Sequence, residues 1–148
     1  MTVTGGRTKR DPNRALLREV AATLGDERWV SQTAVFPSNR PDSVVCTVQE
    51  QYYPRQFVSR TYLEIQSYTN GDFHVTYVEA RHETEWMVRW DRHESDDYAR
   101  DHFHGPPDAH HEDGTDRSYP PTLFGVLSQE IVPWLYDRMG SVWDELDR

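Results

Sequence analysis

Lysine is almost absent from this 148-residue sequence. Lys9 is the only lysine, so arginine supplies nearly all of the 16 basic residues, which stand against 25 acidic residues and leave a formal net charge of −9. This acid excess argues against a surface that coats nucleic acid broadly, although it is compatible with a local basic cleft. Because arginine keeps its charge and acidic surfaces stay hydrated, the balance is typical of adaptation to high salt, as in a halophilic archaeal protein, or at least of a GC-rich genome.

Cysteine and long hydrophobic runs are scarce as well. The single cysteine, Cys46, excludes an internal disulfide, and its place in an alternating apolar segment predicts a small core residue in a reducing compartment. No apolar run approaches the roughly 20 residues that a membrane helix needs, and residues 1–10 lack the apolar core of a signal peptide. We therefore expect a cytoplasmic protein with no membrane partner, in which residues 1–10 form a flexible arm and residues 11–148 a single domain.

A helix is predicted near each end of this domain. The first has apolar residues at helical spacing, with Asp11 as the expected N-cap, Pro12 in the first turn and Gly25 at the end. The second begins at Thr122 and has a long apolar stripe. We expect it to be kinked or split at Pro133, since proline lacks the N–H of a helical hydrogen bond.

The segments between the helices alternate apolar and polar residues as strands do. We predict strands at 43–49, 57–68, 73–79 and 84–91, with Asn70-Gly71 as a hairpin turn and a strand or irregular segment at 28–36. The short links between them predict an antiparallel meander. The expected fold class is therefore α+β, a curved antiparallel sheet with the two helices packed on it.

The chemistry of the sequence is concentrated in residues 89–111, RWDRHESDDYARDHFHGPPDAHH. This stretch holds five of the seven histidines: His93, His102, His104, His110 and His111. Arg89 and Asp91 lie two apart on the last predicted strand, so their side chains share a face, opposite Trp86 and Trp90. The pair is either an exposed surface ion pair or an anion-binding arginine beside a carboxylate that orients a histidine.

His102 and His104 are also two residues apart. In an extended segment they would face the same way, with Phe103 opposite as an anchor and Asp101 as a hydrogen-bonding partner for a histidine. Two such imidazoles suit a metal site or a general acid and base, and a polar loop edge is the structural alternative. If this segment folds back beside the preceding strand, its two histidines converge with the arginine and aspartate there.

Three short motifs occur in an order that resembles the TumE-type toxins of toxin–antitoxin modules. The motifs are Arg89-Trp90-Asp91, His102-Phe103-His104 and Pro121-Thr122-Leu123. The similarity covers about residues 57–131. It implies a small cytoplasmic α+β toxin, a cognate antitoxin as protein partner, and growth inhibition through RNA. The chain departs from the family pattern after the first motif, where Arg92-His93-Glu94-Ser95 replaces an Asn and a Pro-His pair.

The leading hypothesis is a toxin with metal-independent endoribonuclease activity and no cofactor. One of His102 and His104 would take the proton of the RNA 2′-hydroxyl. The other, or His93 at the strand end, would protonate the leaving oxygen.

The same hypothesis assigns the neighbouring charged residues. Arg89 or Arg92 would stabilise charge on the phosphate, and Asp91 would orient a histidine. Arg92 and Tyr98 are predicted to bind the RNA substrate.

Two alternatives give the histidines other roles. A non-catalytic module could hold zinc or another divalent transition metal through His102, His104 and a third ligand, either Asp91 or His110. Otherwise the histidines are incidental, and the chain acts only through a protein partner. The adjacent His110 and His111 are expected to be exposed, and aromatic residues outside the predicted core leave a homodimer open.

Overall fold

A computed structural model describes residues 10–145, so the predicted flexible arm lies outside the described residues except for Arg10. Seven strands form one open antiparallel sheet in which each strand pairs with its neighbour in the sequence. They are β1 (Val30–Phe36), β2 (Ser43–Val48), β3 (Arg60–Ser67), β4 (Phe73–Ala80), β5 (Glu85–Arg92), β6 (Asp101–His104) and β7 (Gly114–Asp116). The predicted α+β fold is confirmed, and β6 and β7 extend the meander into the histidine-rich stretch.

The N-terminal helix α1 (Arg14–Gly25) ends where the sequence predicts but begins later. Its N-cap is Asn13, whose side-chain oxygen accepts a hydrogen bond from the backbone N–H of Leu16 at 3.3 Å. The expected N-cap at Asp11 is wrong, because the carbonyl of Asp11 accepts a hydrogen bond from the N–H of Thr69 at 2.8 Å. Asp11 therefore lies beside the turn between β3 and β4.

The C-terminal helical segment contains α2 (Leu123–Val126), a π-helical turn (Leu127–Ile131) and α3 (Val132–Asp144). Thr122 starts it as predicted, and its hydroxyl accepts a hydrogen bond from the N–H of Gly125 at 3.0 Å. The backbone stays helical on both sides of Pro133. The expected irregularity takes the form of the wider π-helical turn just before the proline, which accommodates its ring and its missing N–H.

Both helical segments cover the same face of the sheet. On that face Cys46, Leu63, Tyr77 and Val88 are register partners across β2 to β5 and are fully buried, so Cys46 is a core residue as predicted. Helix α1 lies against β1, β2 and β3. The indole of Trp134 in α3 packs against two aromatic residues of β5, with ring centroids 6.3 and 5.1 Å apart.

A buried ion pair joins α3 to the sheet. Arg138 donates to both oxygens of Glu79 in β4, at 2.6 and 2.8 Å, and its guanidinium lies 3.8 Å from the ring centre of Trp86. Tyr77 and Arg81 donate further hydrogen bonds to this fully buried carboxylate. Burial raises the pKa of Glu79, but the hydrogen bonds outweigh burial and hold the pKa below its usual value. Fixed donors thus satisfy both oxygens.

Candidate functional site

The sheet face away from the helices carries two rows of polar side chains. His74 in β4, Asp91 in β5 and His102 in β6 are register partners in one row. Arg89 and His104 are partners in the next row. Strand β6 therefore runs alongside β5, which is the condition for the arginine, the aspartate and the two histidines to converge. We refer to these five residues and His93 together as the cluster.

Asp91 is the centre of this cluster and is fully buried. Its Oδ1 accepts a hydrogen bond from Nδ1 of His74 at 2.8 Å, and Nε of Arg89 donates to Oδ1 and Oδ2 at 3.0 and 2.9 Å. Burial raises the pKa of Asp91, but the hydrogen bond from His74 and the charge and hydrogen bonds of Arg89 lower it to about 2. The interpretation of Arg89 and Asp91 as an exposed surface ion pair is therefore wrong.

The loop between β5 and β6 covers the cluster. The ring of Tyr98 stacks on His102, with centroids 5.5 Å apart and an interplanar angle of 24°. The Tyr98 hydroxyl donates to the carbonyl of His111 at 2.5 Å. Gly114 in β7 permits this arrangement, because a Cβ atom there would overlap the Tyr98 ring. Tyr98, predicted to bind substrate, thus forms part of the cover.

Burial divides the cluster into an interior and a rim. The side chains of His102 and His104 are only 1% and 2% exposed, so these two residues and Asp91 form the interior. The side chains of Arg89 and His93 are 33% and 29% exposed and form the rim. In this conformation a large ligand contacts the rim and not the interior.

Three histidines are held by backbone carbonyl groups through Nδ1. The pairs are His93 with Glu94 at 2.7 Å, His102 with Ala99 at 2.9 Å and His104 with His110 at 3.0 Å. A carbonyl oxygen only accepts hydrogen bonds, so each Nδ1 carries a proton. In the neutral imidazole, Nε2 of each ring is then an acceptor with a free lone pair.

These three Nε2 atoms face one oxygen of Asp91. They lie 3.7 Å (His93), 3.5 Å (His102) and 3.3 Å (His104) from Oδ2. An N–H···O hydrogen bond spans about 2.7–3.2 Å, so all three distances are too long for one. Burial lowers the pKa of His93 and of His104, and Arg89 lowers the pKa of His104 further, which favours neutral rings. In the neutral rings of His93 and His104, the lone pair of Nε2 therefore faces the oxygen of Asp91.

His74 lies outside the stretch of residues 89–111 and nevertheless belongs to the cluster. Its Nε2 lies 2.8 Å from Nη2 of Arg10. Arginine only donates, so Nε2 accepts and the proton on Nδ1 is the one given to Asp91. The register of the β4–β5 hairpin pairs Ala80 with Glu85 and therefore places His74 opposite Asp91. This register is the feature from which the place of His74 at the site could have been predicted.

Arg92 and Asp101 lie on the other face of the sheet, so their expected places at the site are wrong. Nε of Arg92 donates to Asp101 at 2.6 Å, and its Nη atoms donate to the carbonyls of Pro120 and Pro121 at 2.9 Å. Neighbouring strand residues point to opposite faces, which places Arg92 with the helix-facing residues. This ion pair anchors the chain that leads into α2.

His110 and His111 are exposed, as expected. The side chain of His110 is 62% exposed and pairs with Asp108 at 3.4 Å, while His111 pairs with Asp97 at 2.6 Å. The His110 backbone carbonyl, and not its side chain, contacts the cluster, while the ring of His111 lies at the edge of the cluster, 6.1 Å from the ring of His104 between centroids. His110 is therefore wrong as the third metal ligand, and the other candidate for that place, Asp91, is the residue that lies with His102 and His104.

The comparison with protein families adds an independent finding. A family model described as toxin TumE matches residues 19–139. The chain belongs to the TumE toxin family. The match covers most of α1 and the whole sheet, a wider span than the motifs alone suggested, and membership of a toxin family implies a cognate antitoxin.

A search of curated proteins and a search of solved structures each found no similar chain. Across residues 10–145, no helix has both the length and the apolar character required to cross a membrane.

Proposed function

We propose that this TumE-family toxin acts on RNA in the cytoplasm and cleaves the phosphodiester backbone at the rim of the cluster. The observation that supports this is the pairing of Arg89 and His93, two partly exposed cationic or titratable side chains, around one buried carboxylate. A guanidinium binds phosphate oxygens, and an imidazole transfers protons near neutral pH. Phosphodiester transfer within RNA requires both operations at adjacent positions.

Arg89 is the phosphate-binding residue in this proposal. Among residues 10–145, its side-chain hydrogen bonds run through Nε to Asp91, which leaves both Nη atoms for phosphate oxygens. Asp91 keeps the guanidinium in place. A preorganised positive charge stabilises the negative charge that develops on the phosphate oxygens during attack.

His93 transfers the proton through Nε2. It is the most exposed of the three histidines around Oδ2 of Asp91, so it takes the role that the sequence assigned first to His102 and His104. The 2′-hydroxyl gives its proton to His93 while its oxygen attacks the adjacent phosphorus. The bond from phosphorus to the 5′-oxygen breaks, and that oxygen receives the proton from His93. The products are a 2′,3′-cyclic phosphate and a 5′-hydroxyl.

Cleavage of RNA by the purified toxin tests this proposal. Arg89→Ala and His93→Ala should each lower the rate by about 100-fold or more, since each removes a group that acts in the transition state. His110→Ala is the matched control, because this exposed histidine of the same stretch lies outside the cluster, and it should cleave at the wild-type rate. Intact RNA after incubation with the wild type, in chelator and in added zinc alike, would contradict the proposal, as would equal rates in all four proteins.

A further inference from the structure

The interior of the cluster brings together one carboxylate oxygen and two imidazole nitrogens, which are atoms that bind metal ions. Oδ2 of Asp91 and Nε2 of His102 and His104 are buried and lie within reach of one ion, with all ligand atoms within 4.8 Å of one another. The two nitrogens lie 3.5 and 3.3 Å from the oxygen. A tetrahedral ion with bonds of about 2.0–2.2 Å holds neighbouring ligand atoms about 3.3–3.6 Å apart. We propose that these three residues bind one divalent transition-metal ion of the zinc type.

The hydrogen bonds around the interior prepare each ligand. The Nδ1 atoms of His102 and His104 donate to backbone carbonyls, so the lone pairs of both Nε2 atoms point inward. On the carboxylate, Oδ1 receives the hydrogen bond from His74, which orients Asp91 with Oδ2 toward the two imidazoles. Metal-bound histidines and carboxylates are held by such outer hydrogen bonds, which set the tautomer and the ring orientation.

A cation resolves what is otherwise an unfavourable arrangement. Acceptor atoms of Asp91, His102 and His104 converge at distances beyond hydrogen-bonding range, in a space from which solvent is nearly excluded. Oδ2 of Asp91 already accepts a hydrogen bond from Nε of Arg89 at 2.9 Å, so the ion would use the other lone pair of this oxygen. The ion would also give a partner to the two buried Nε2 atoms, which have lost their contact with water. Two imidazole nitrogens and one carboxylate oxygen form a ligand set that suits zinc and its neighbours better than calcium or magnesium.

The ion would also change the charge beneath the rim. Arg89 already offsets the negative charge of Asp91 at 2.9 Å, so a bound divalent ion adds net positive charge at this point. The chain as a whole has a formal charge of −9, and a local cationic spot is what an RNA phosphate needs to approach it. The metal site is nevertheless an inference beyond RNA cleavage, because its occupancy is measured without RNA.

Titration of the untagged, chelator-treated toxin with Zn²⁺ and with Co²⁺ tests the site. The wild type should bind about one equivalent per chain, and Co²⁺ should give the visible absorption of a tetrahedral site. Zinc at about 100 times its dissociation constant should raise the Tm by roughly 10 °C. His102→Gln and His104→Gln should lose the absorption and the shift in Tm, while His110→Gln and His111→Gln should keep both.

Asp91→Asn guards against a histidine variant that fails to fold, since the asparagine oxygen can still accept the hydrogen bond from His74. Circular dichroism identifies the variants that are folded, and a folded Asp91→Asn protein should also lose the metal. The inference is overturned if the wild type binds no metal, or if the interior variants bind it as well as the wild type does. RNA cleavage without metal binding overturns this inference alone, whereas metal binding without RNA cleavage overturns only the proposed function.

Discussion

Two fully buried carboxylates lie on adjacent strands, one on each face of the sheet, and their surroundings differ in kind. On the helix side, Glu79 accepts hydrogen bonds from groups that always carry protons, namely Arg138, Arg81 and Tyr77. On the opposite side, Asp91 accepts hydrogen bonds from Arg89 and His74, and its Oδ2 also faces Nε2 of His102 and of His104 at 3.5 and 3.3 Å.

This difference separates a structural ion pair from a candidate site. Both carboxylate oxygens of Glu79 have their hydrogen-bond donors once α3 packs on the sheet, so no group outside the chain is needed to stabilise this charge. Asp91 differs, because its Oδ2 accepts a hydrogen bond from Arg89 and also faces Nε2 of His102 and of His104 at 3.5 and 3.3 Å. A buried charge surrounded by protein donors holds a fold together, whereas one with facing lone pairs is prepared for a ligand.

The largest loss of stability should come from removing a hydrogen-bonding partner of Glu79. Arg138→Ala leaves Glu79 buried without its bidentate partner and should lower the free energy of unfolding by about 3–5 kcal/mol. Urea denaturation measures the change. Arg55→Ala is the control, because Arg55 pairs with Glu50 at an exposed site and its loss should cost at most about 1 kcal/mol. Equal losses in the two variants would remove the distinction between them.

A smaller effect should separate the two carboxylates directly when each becomes an amide. Glu79→Gln turns an amide NH₂ toward donors and should cost about 1–3 kcal/mol of unfolding free energy. Asp91→Asn, measured in chelator, should cost less. Its NH₂ loses the hydrogen bond from Arg89 to Oδ2, but Arg89 still donates to Oδ1, and the NH₂ can donate to the facing Nε2 atoms of His102 and His104. Thermal or urea unfolding of both proteins in the same buffer shows which variant loses more stability. A larger loss in Asp91→Asn would show that the hydrogen-bonding partners of Asp91 are as complete as those of Glu79.

The smallest effect should appear in the pH dependence of stability. The pKa of Glu79 is lowered in the folded protein from 4.5, so the unfolded chain takes up the proton first as the pH falls. The stability from this carboxylate is therefore present above about pH 4.5 and is lost as the pH drops through the folded pKa. Urea unfolding at a series of acidic pH values should give a shallower slope for Glu79→Gln than for the wild type. Parallel curves would mean that Glu79 titrates alike in both states.

The alternation of side chains along a strand correctly predicted the faces of four of the six cluster residues. The side chains of Arg89 and Asp91, and those of His102 and His104, do share faces, because the direction of a strand side chain depends only on its place in the strand. The same rule places Arg92 on the opposite face, so its predicted contact with RNA could have been rejected from the sequence. The rule applied to a hairpin of known register would likewise have placed His74 beside Asp91.

The sequence by itself determined the α+β class, the order of the central strands, the family motifs and the face on which each of these side chains lies. Only the tertiary structure decided that Asp91 is buried, because that depends on Tyr98 and the loop folding back over the sheet. It also decided the tautomers of His102 and His104, since their Nδ1 partners are carbonyls of irregular segments. Side-chain direction is a local property of the backbone, whereas burial and proton position are set by residues that meet only after folding.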